Sequence, residues 1–310
     1  MADTVPSADK IFMVMNAPFD PASHSNNELS PNVCSMFGVA DPGSEFDDRR
    51  CTDRATDRIL AMASRALAQS DFRPAGSVYL AALKVALWEE PPAFGTDIYA
   101  DNYRVASLDG QWLAIALIAN AEREGGVARH AWSLAAFSAD SEDRQVLKRH
   151  AVNESRNTLA YLTLLDLSFP EVISSAFRRE LHELSPGYAM EQDLIVVDQS
   201  PDSRPPALDD FLQMNIAGLR TAVRVEMLRS ALAVHCPFEN LPAAATVQDI
   251  ILRNEFRDIA SIGILIERRV HGLEAVDISR LFCRGLREFN RRTSEEPIEF
   301  SYHQRFGNYP

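Results

Sequence analysis

Two five-residue stretches share one chemical pattern: Asn153–Asn157 reads NESRN and Asn254–Asp258 reads NEFRD. Each has a Glu followed three positions later by a short polar side chain, Asn157 in the first and Asp258 in the second. On a helix, positions three and four apart share a face, so each pair offers two oxygen-bearing groups to one spot. Both stretches lie inside long, mostly apolar segments, which places the acids on faces that turn inward. An isolated buried carboxylate costs several kcal/mol, so it needs a cation, a proton or a dense set of hydrogen bonds. The chemistry to expect is that of a carboxylate-lined helical bundle.

Each repeated Glu has an acidic counterpart one helix earlier. Glu122 lies in LIANAEREGG, with Glu124 close by as a substitute, and Glu226 lies in LRTAVRVEMLRSALA. Two residues on antiparallel helices are level when the turn falls midway between them. The midpoint of Glu122 and Glu154 is position 138, inside FSADSED, and that of Glu226 and Glu255 is about position 240, inside PFENLPA. All four acids should then sit at similar depth, ~15 residues or ~23 Å from their turns. Four stripes carry them: Ile115, Ile118 and Glu122; His150, Glu154, Asn157 and Tyr161; Leu219, Ala222 and Glu226; Ile251, Glu255, Asp258 and Ile262.

The elements that position these stripes are helical. Apolar periodicity predicts four long helices, at about Val105–Phe137, Glu142–Leu167, Leu208–His235 and Thr246–Val270. TDRATDRILAMASRALAQ and GSVYLAALKVALWEE add two helices before them, and DISRLFCRGLREFNRR adds one after. The links SADSED and CPFENLPAA are short and make antiparallel neighbours, whereas Ser168–Ala207 is long enough to cross the bundle. DLIVV, Asp193–Val197, is the only good strand candidate. Residues 1–48, rich in Pro, Ser, Asn and Asp, read as an irregular arm, and residues 49–310 as one helical domain with its core bundle at 105–270. The arm and the last helix are candidates for covering the site or for a homodimer interface.

Composition narrows the function. The chain has 310 residues, 46% hydrophobic and 24% charged, enough for a sizeable core. A net charge of −13 argues against nucleic acid as a partner. The N-terminus lacks the pattern of a signal peptide, and the apolar runs are too short for a bilayer. Cys34, Cys51, Cys236 and Cys283 lack CxxC spacing and read as reduced thiols of a cytoplasmic protein, which makes a zinc site a poor expectation. No GxGxxG, P-loop or GxSxG motif points to a nucleotide cofactor or a serine nucleophile.

Over Val105–Val270 the arrangement resembles the ferritin-like superfamily of dimetal-carboxylate proteins, which includes ribonucleotide reductase small subunits and arylamine N-oxygenases. RNEFRDIASIGILIER and RHAVNESRNTLAYLTLL carry the resemblance most closely. The family pattern is an acid on helix one, Glu-x-x-His on helix two, Glu on helix three and Glu-x-x-His on helix four. Here Asn157 and Asp258 stand where the family has its two histidines. Asn153 and Asn254 stand where it often has an Asp that accepts from the ligand imidazole. The acceptor and the imidazole are replaced together, so the site is remodelled as a whole.

The resemblance implies an all-α, ferritin-like four-helix bundle with extra terminal helices and a long crossover between helices two and three. Two outcomes for the site stand side by side. In one, Glu122, Glu154, Asn157, Glu226, Glu255 and Asp258 hold two divalent ions, iron or manganese. Five carboxylates against two such ions leave one negative charge, and the nearly all-oxygen set suits hard ions. The implied activity is that of an oxidase or oxygenase using O2 on a small organic substrate. In the other outcome the protein binds no metal, and the acids are protonated or paired with Arg129 and Arg229. The bundle is then a scaffold or binding protein, or a non-redox enzyme with a carboxyl acid or base. A third possibility is an unrelated all-α protein in which the repeat arose by chance. His150, one turn before Glu154, is a candidate substitute ligand, and Tyr161 a candidate redox or proton-delivery group. Gly125 and Gly126 mark either a helix distortion or close packing.

Overall fold

Side-chain caps set the helix boundaries that position the acids. The structure, a computed structural model, describes residues 48–70, 77–170, 173–194, 204–270 and 275–306, with side chains between 54 and 293. Its helices are α1 (Asp48–Ala68), α2 (Val78–Glu89), α3 (Asp97–Ala106), α4 (Gly110–Phe137), α5 (Ser141–Ser168), α6 (Ser175–His182), α7 (Leu208–His235), α8 (Leu241–Arg269) and α9 (Ala275–Phe306). Among the described residues there is no strand. Asp193 and Leu194 are irregular, and the rest of the expected strand lies outside the described residues, as do residues 1–47 of the expected arm. No described helix is long and apolar enough to cross a membrane.

The caps also correct the expected boundaries. Asp109 accepts from the backbone N–H of Gln111 at 2.8 Å and of Trp112 at 3.2 Å. α4 therefore starts at Gly110, not Val105, and the preceding turn separates it from α3. Asp140 caps α5 in the same way, accepting from Glu142 and Asp143 at 2.9 Å each. At α8, Pro242 occupies the first turn, where it leaves no needed donor unpaired, and the helix begins before the expected Thr246. α7 coincides with the expected Leu208–His235.

The four long helices form two hairpins joined by a crossover. α4 packs against α5, α7 against α8, and α5 against α8, while α9 lies on α2 and α7. The N-terminus of α2 is docked on Glu267 near the end of α8, whose carboxylate accepts from Val78 N at 3.1 Å, Tyr79 N at 2.8 Å and the Ser77 hydroxyl at 2.7 Å. A carboxylate there complements the positive end of the helix dipole.

The crossover includes α6 and then lies across the α4–α5 hairpin. The Arg129 guanidinium donates to Leu184 O at 3.0 Å. Tyr188 stacks on Trp132 with ring centroids 4.2 Å apart, and Tyr188 N donates to the Ser155 hydroxyl at 3.1 Å. Gly125 makes this contact sterically possible. A Cβ there would lie 2.2 Å from Leu184 O, whereas a Cβ on Gly126 would meet nothing within 4 Å. α4 runs through both glycines as one helix, so close approach of the crossover, not a helix distortion, accounts for Gly125. Two substitutions separate these roles. Gly126→Ala should stabilise the fold by roughly 0.5–1 kcal/mol, the ordinary helix-propensity gain. Gly125→Ala should destabilise it by about 1–3 kcal/mol through overpacking against a backbone oxygen. Urea denaturation midpoints of the two variants check both signs.

Candidate metal centre

α5 and α8 carry their acids as the sequence stripes require. His150, Glu154, Asn157 and Tyr161 are all buried on α5, and Glu255 and Asp258 are buried on α8 between Ile251 and Ile262. α4 adds Glu124, 3% exposed. Oxygens of Glu124, Glu154 and Glu255 all lie within 4.8 Å of one another, and so do ligand atoms of His150, Glu154 and Asp258. Glu154 belongs to both triads and joins them.

Two expected acids are not in the site. Glu122 is exposed, because the buried stripe of α4 runs Leu117, Ala121, Glu124, Ala128, and Glu122 falls on the other side of the helix. Glu226 is also at the surface, bonded to Arg58 of α1 at 2.7 Å. Beyond Ala222 the buried face of α7 continues through Val225 and Leu228, which turns Glu226 outward. α7 meets the site instead through Gly218, where a Cβ would lie 3.5 Å from a Glu255 carboxylate oxygen and 3.1 Å from Ile259. Helix three thus brings close backbone packing where the family pattern has a carboxylate.

The asparagines form reciprocal bonds between the two motifs. Asn153 Nδ2 donates to Asp258 Oδ1 at 2.9 Å and Oδ2 at 3.2 Å. Asn254 Nδ2 donates to Asn157 Oδ1 at 2.9 Å. The residue before each Glu therefore bonds the residue three after the Glu of the other motif. Asn157 Nδ2 in turn donates to Glu255 Oε1 at 2.9 Å and Glu154 Oε2 at 3.3 Å. The Asn157 amide oxygen, expected as a metal ligand, is occupied by Asn254, so Asn157 acts here as a donor that orients the two Glu carboxylates.

The cations are elsewhere. Arg129 bonds the crossover carbonyls, and Arg229 pairs with Asp249 on the surface. Burial, with the charges of Glu255 and Glu124 added, pushes the Glu154 carboxyl well above the usual carboxylate range. Glu255 is raised as well, by burial first and then by Glu124 and Asp258, against a lowering effect of the Asn157 hydrogen bond. The Tyr161 hydroxyl is raised by burial and then by Glu124 and Glu255, so it keeps its proton beside them.

Three buried atoms mark the space between these groups as a place for a ligand. Both ring nitrogens of His150 make no hydrogen bond, and neither does Glu124 Oε1, although the Glu124 carboxyl hydrogen-bonds Glu154 when they share a proton; both residues are 3% exposed. The His150 Nδ1 atom lies 3.2 Å from Asp258 Oδ2 and 3.6 Å from Glu154 Oε1 without hydrogen-bond geometry. Unsatisfied buried polar atoms are rare and costly, and here they converge with four carboxylates. Two divalent ions would leave those four carboxylates with no residual charge, and the oxygen-rich set with one imidazole matches iron or manganese. The residues present therefore fit a dinuclear centre. In the sequence Glu124 stood out only as a substitute close to Glu122, because both sides of α4 are apolar or small. The signal for His150 was the single turn separating it from Glu154.

No protein-family model, no curated protein and no solved structure matches the chain significantly.

Without metal, the raised carboxyls make stability pH-dependent. The folded state keeps protons on Glu154 and Glu255 to higher pH than the unfolded chain. Their stabilising contribution is full below the ordinary carboxyl range and is lost as pH rises toward their raised values. In metal-free protein, Glu154→Gln should raise the thermal midpoint at pH 8 relative to wild type, with the difference shrinking toward pH 4. Calorimetry at both pH values in the presence of a chelator measures it.

Proposed function

We propose that the protein is a ferritin-like dimetal-carboxylate oxidase or oxygenase acting on a small organic substrate. The observation that carries this reading is the pair of buried triads sharing Glu154, with the His150 ring beside Asp258 and Glu154 but making no hydrogen bond. The hairpin–crossover–hairpin order and the acids on the first, second and fourth long helices support it further. The departures are specific: no acid enters from the third helix, and the single histidine lies one turn before the Glu of helix two.

The residues divide the work. Glu154 would serve both positions. Glu124 and Glu255 complete one, and His150 and Asp258 complete the other. Asn153 holds the Asp258 carboxylate in its rotamer, and Asn157, itself held by Asn254, does the same for Glu255. These residues would hold two iron or manganese ions, whose chemistry there would be activation of O2. The surrounding apolar faces of α4, α5 and α8 exclude water and so strengthen every electrostatic contact inside.

Arg129 and Arg229, the arginines expected to neutralise the acids, are engaged elsewhere. A metal-free enzyme using protonated Glu154 or Glu255 as a general acid is the second reading, favoured by the burial and neighbouring carboxylates that raise both groups. Elemental analysis decides between them. Protein produced with iron or manganese supplied should carry about two ions per chain, the number the family site holds. Glu154→Ala should reduce this to near zero while helix content by circular dichroism stays at the wild-type level. Wild-type protein without metal at any supply level would overturn the dimetal reading and leave the acid–base one.

A further inference from the structure

Resting on the dimetal reading, we propose that the two cation positions are chemically unlike and fill in order. The His150–Glu154–Asp258 position fills first and prefers later first-row ions, and the Glu124–Glu154–Glu255 position fills second and takes hard ions.

The two donor sets differ. One triad offers an imidazole nitrogen and two carboxylates, and the other offers three carboxylates. Imidazole suits iron and the later first-row ions, whose affinity at nitrogen sites rises from manganese to iron to cobalt. All-oxygen sites suit manganese and magnesium. Asp258 is oriented by Asn153 through both oxygens, at 2.9 and 3.2 Å. Neither ring nitrogen of His150 has a hydrogen bond to give up. The first position is therefore both fixed and available. In the second, Asn157 Nδ2 holds Glu255 Oε1 at 2.9 Å and stands 3.3 Å from Glu154 Oε2. Those bonds orient Glu255 as Asn153 orients Asp258, so the donor atoms distinguish the positions, and the imidazole gives the first its higher affinity for later first-row ions. Glu154 couples the positions: once the first ion is bound, its second oxygen faces Glu124 and Glu255 already oriented.

The arrangement also accounts for a histidine at position 150. A nitrogen donor at position 157 would face Glu255 and displace the amide that orients it. Two turns earlier on α5, at position 150, the imidazole faces Asp258 instead.

Anaerobic titration of the full chain with cobalt(II), followed by visible absorption and calorimetry, and in parallel with manganese(II), followed by electron paramagnetic resonance, tests the order. Wild type should bind in two resolved steps, with cobalt favoured over manganese by at least about tenfold in the first step only. His150→Gln should abolish that preference and leave about one manganese per chain. Glu124→Gln should leave the first step unchanged and remove the second. Circular dichroism of each variant establishes that it is folded, and a variant that is not is replaced by Asp258→Asn for the first position or Glu255→Gln for the second. Two identical, unresolved steps in wild type would overturn the proposal while leaving the dimetal reading intact. So would loss of both ions in each variant, or a cobalt preference unaffected by His150→Gln. No binding by wild type would overturn the dimetal reading itself.

Discussion

The interior between α4, α5 and α8 holds four carboxylates where water does not reach. Glu124, Glu154, Glu255 and Asp258 repel one another across distances at which low dielectric makes charge expensive. Hydrophobic packing sets the bundle, but it cannot explain why these side chains are inside it. Something must compensate them, and the surrounding residues compensate only in part. Asn153 and Asn157 donate to three of the four acids, and protons on Glu154 and Glu255 relieve the remainder when no cation is present. A fold that only needed a core would be more stable with apolar residues at these positions. Retaining the acids, with His150 left unbonded among them, is the mark of a site under stability–function trade-off.

The supporting frame is built around that constraint. α5 and α8 are tied by reciprocal bonds from Asn153 to Asp258 and from Asn254 to Asn157. In the ferritin-like pattern, the residue before each motif Glu often accepts a hydrogen bond from a ligand imidazole. Here amide donors occupy those positions and point at oxygen acceptors. The polarity of the cross-helix bond is reversed while its connection is kept, and this is how a motif without its histidines remains fully bonded. Gly218 and Gly125 serve the same frame from outside. One lets α7 approach α8 beside Glu255, and the other lets the crossover settle on α4 one residue from Glu124.

How much of this was legible in the sequence depended on whether a local period or a tertiary contact decided the outcome. The stripes on α5 and α8 followed from helical spacing alone, and so did the bounds of α7, because long amphipathic runs with clear stops leave little choice. Glu122 and Glu124 differ by two residues, about 200° around a helix. In α4 nearly every position is apolar or small, so the buried side is set by which neighbours pack against it. Glu226 sits on a continuation of an inward stripe, but the burial turns to Val225 and Leu228 where α8 packs, and Arg58 of a distant helix claims the carboxylate. The direction of the Asn157 amide was decided by Asn254, a residue about a hundred positions away. No pattern within a single helix contains that information.

Anomalous diffraction from crystals grown with manganese, or with iron in the absence of oxygen, tests the central claim most directly. The account predicts two anomalous peaks on either side of the Glu154 carboxylate, one ligated by His150 and Asp258 and the other by Glu124 and Glu255. An interior without anomalous scattering, in which those same carboxyls are bonded only to one another and to the asparagines, would contradict it.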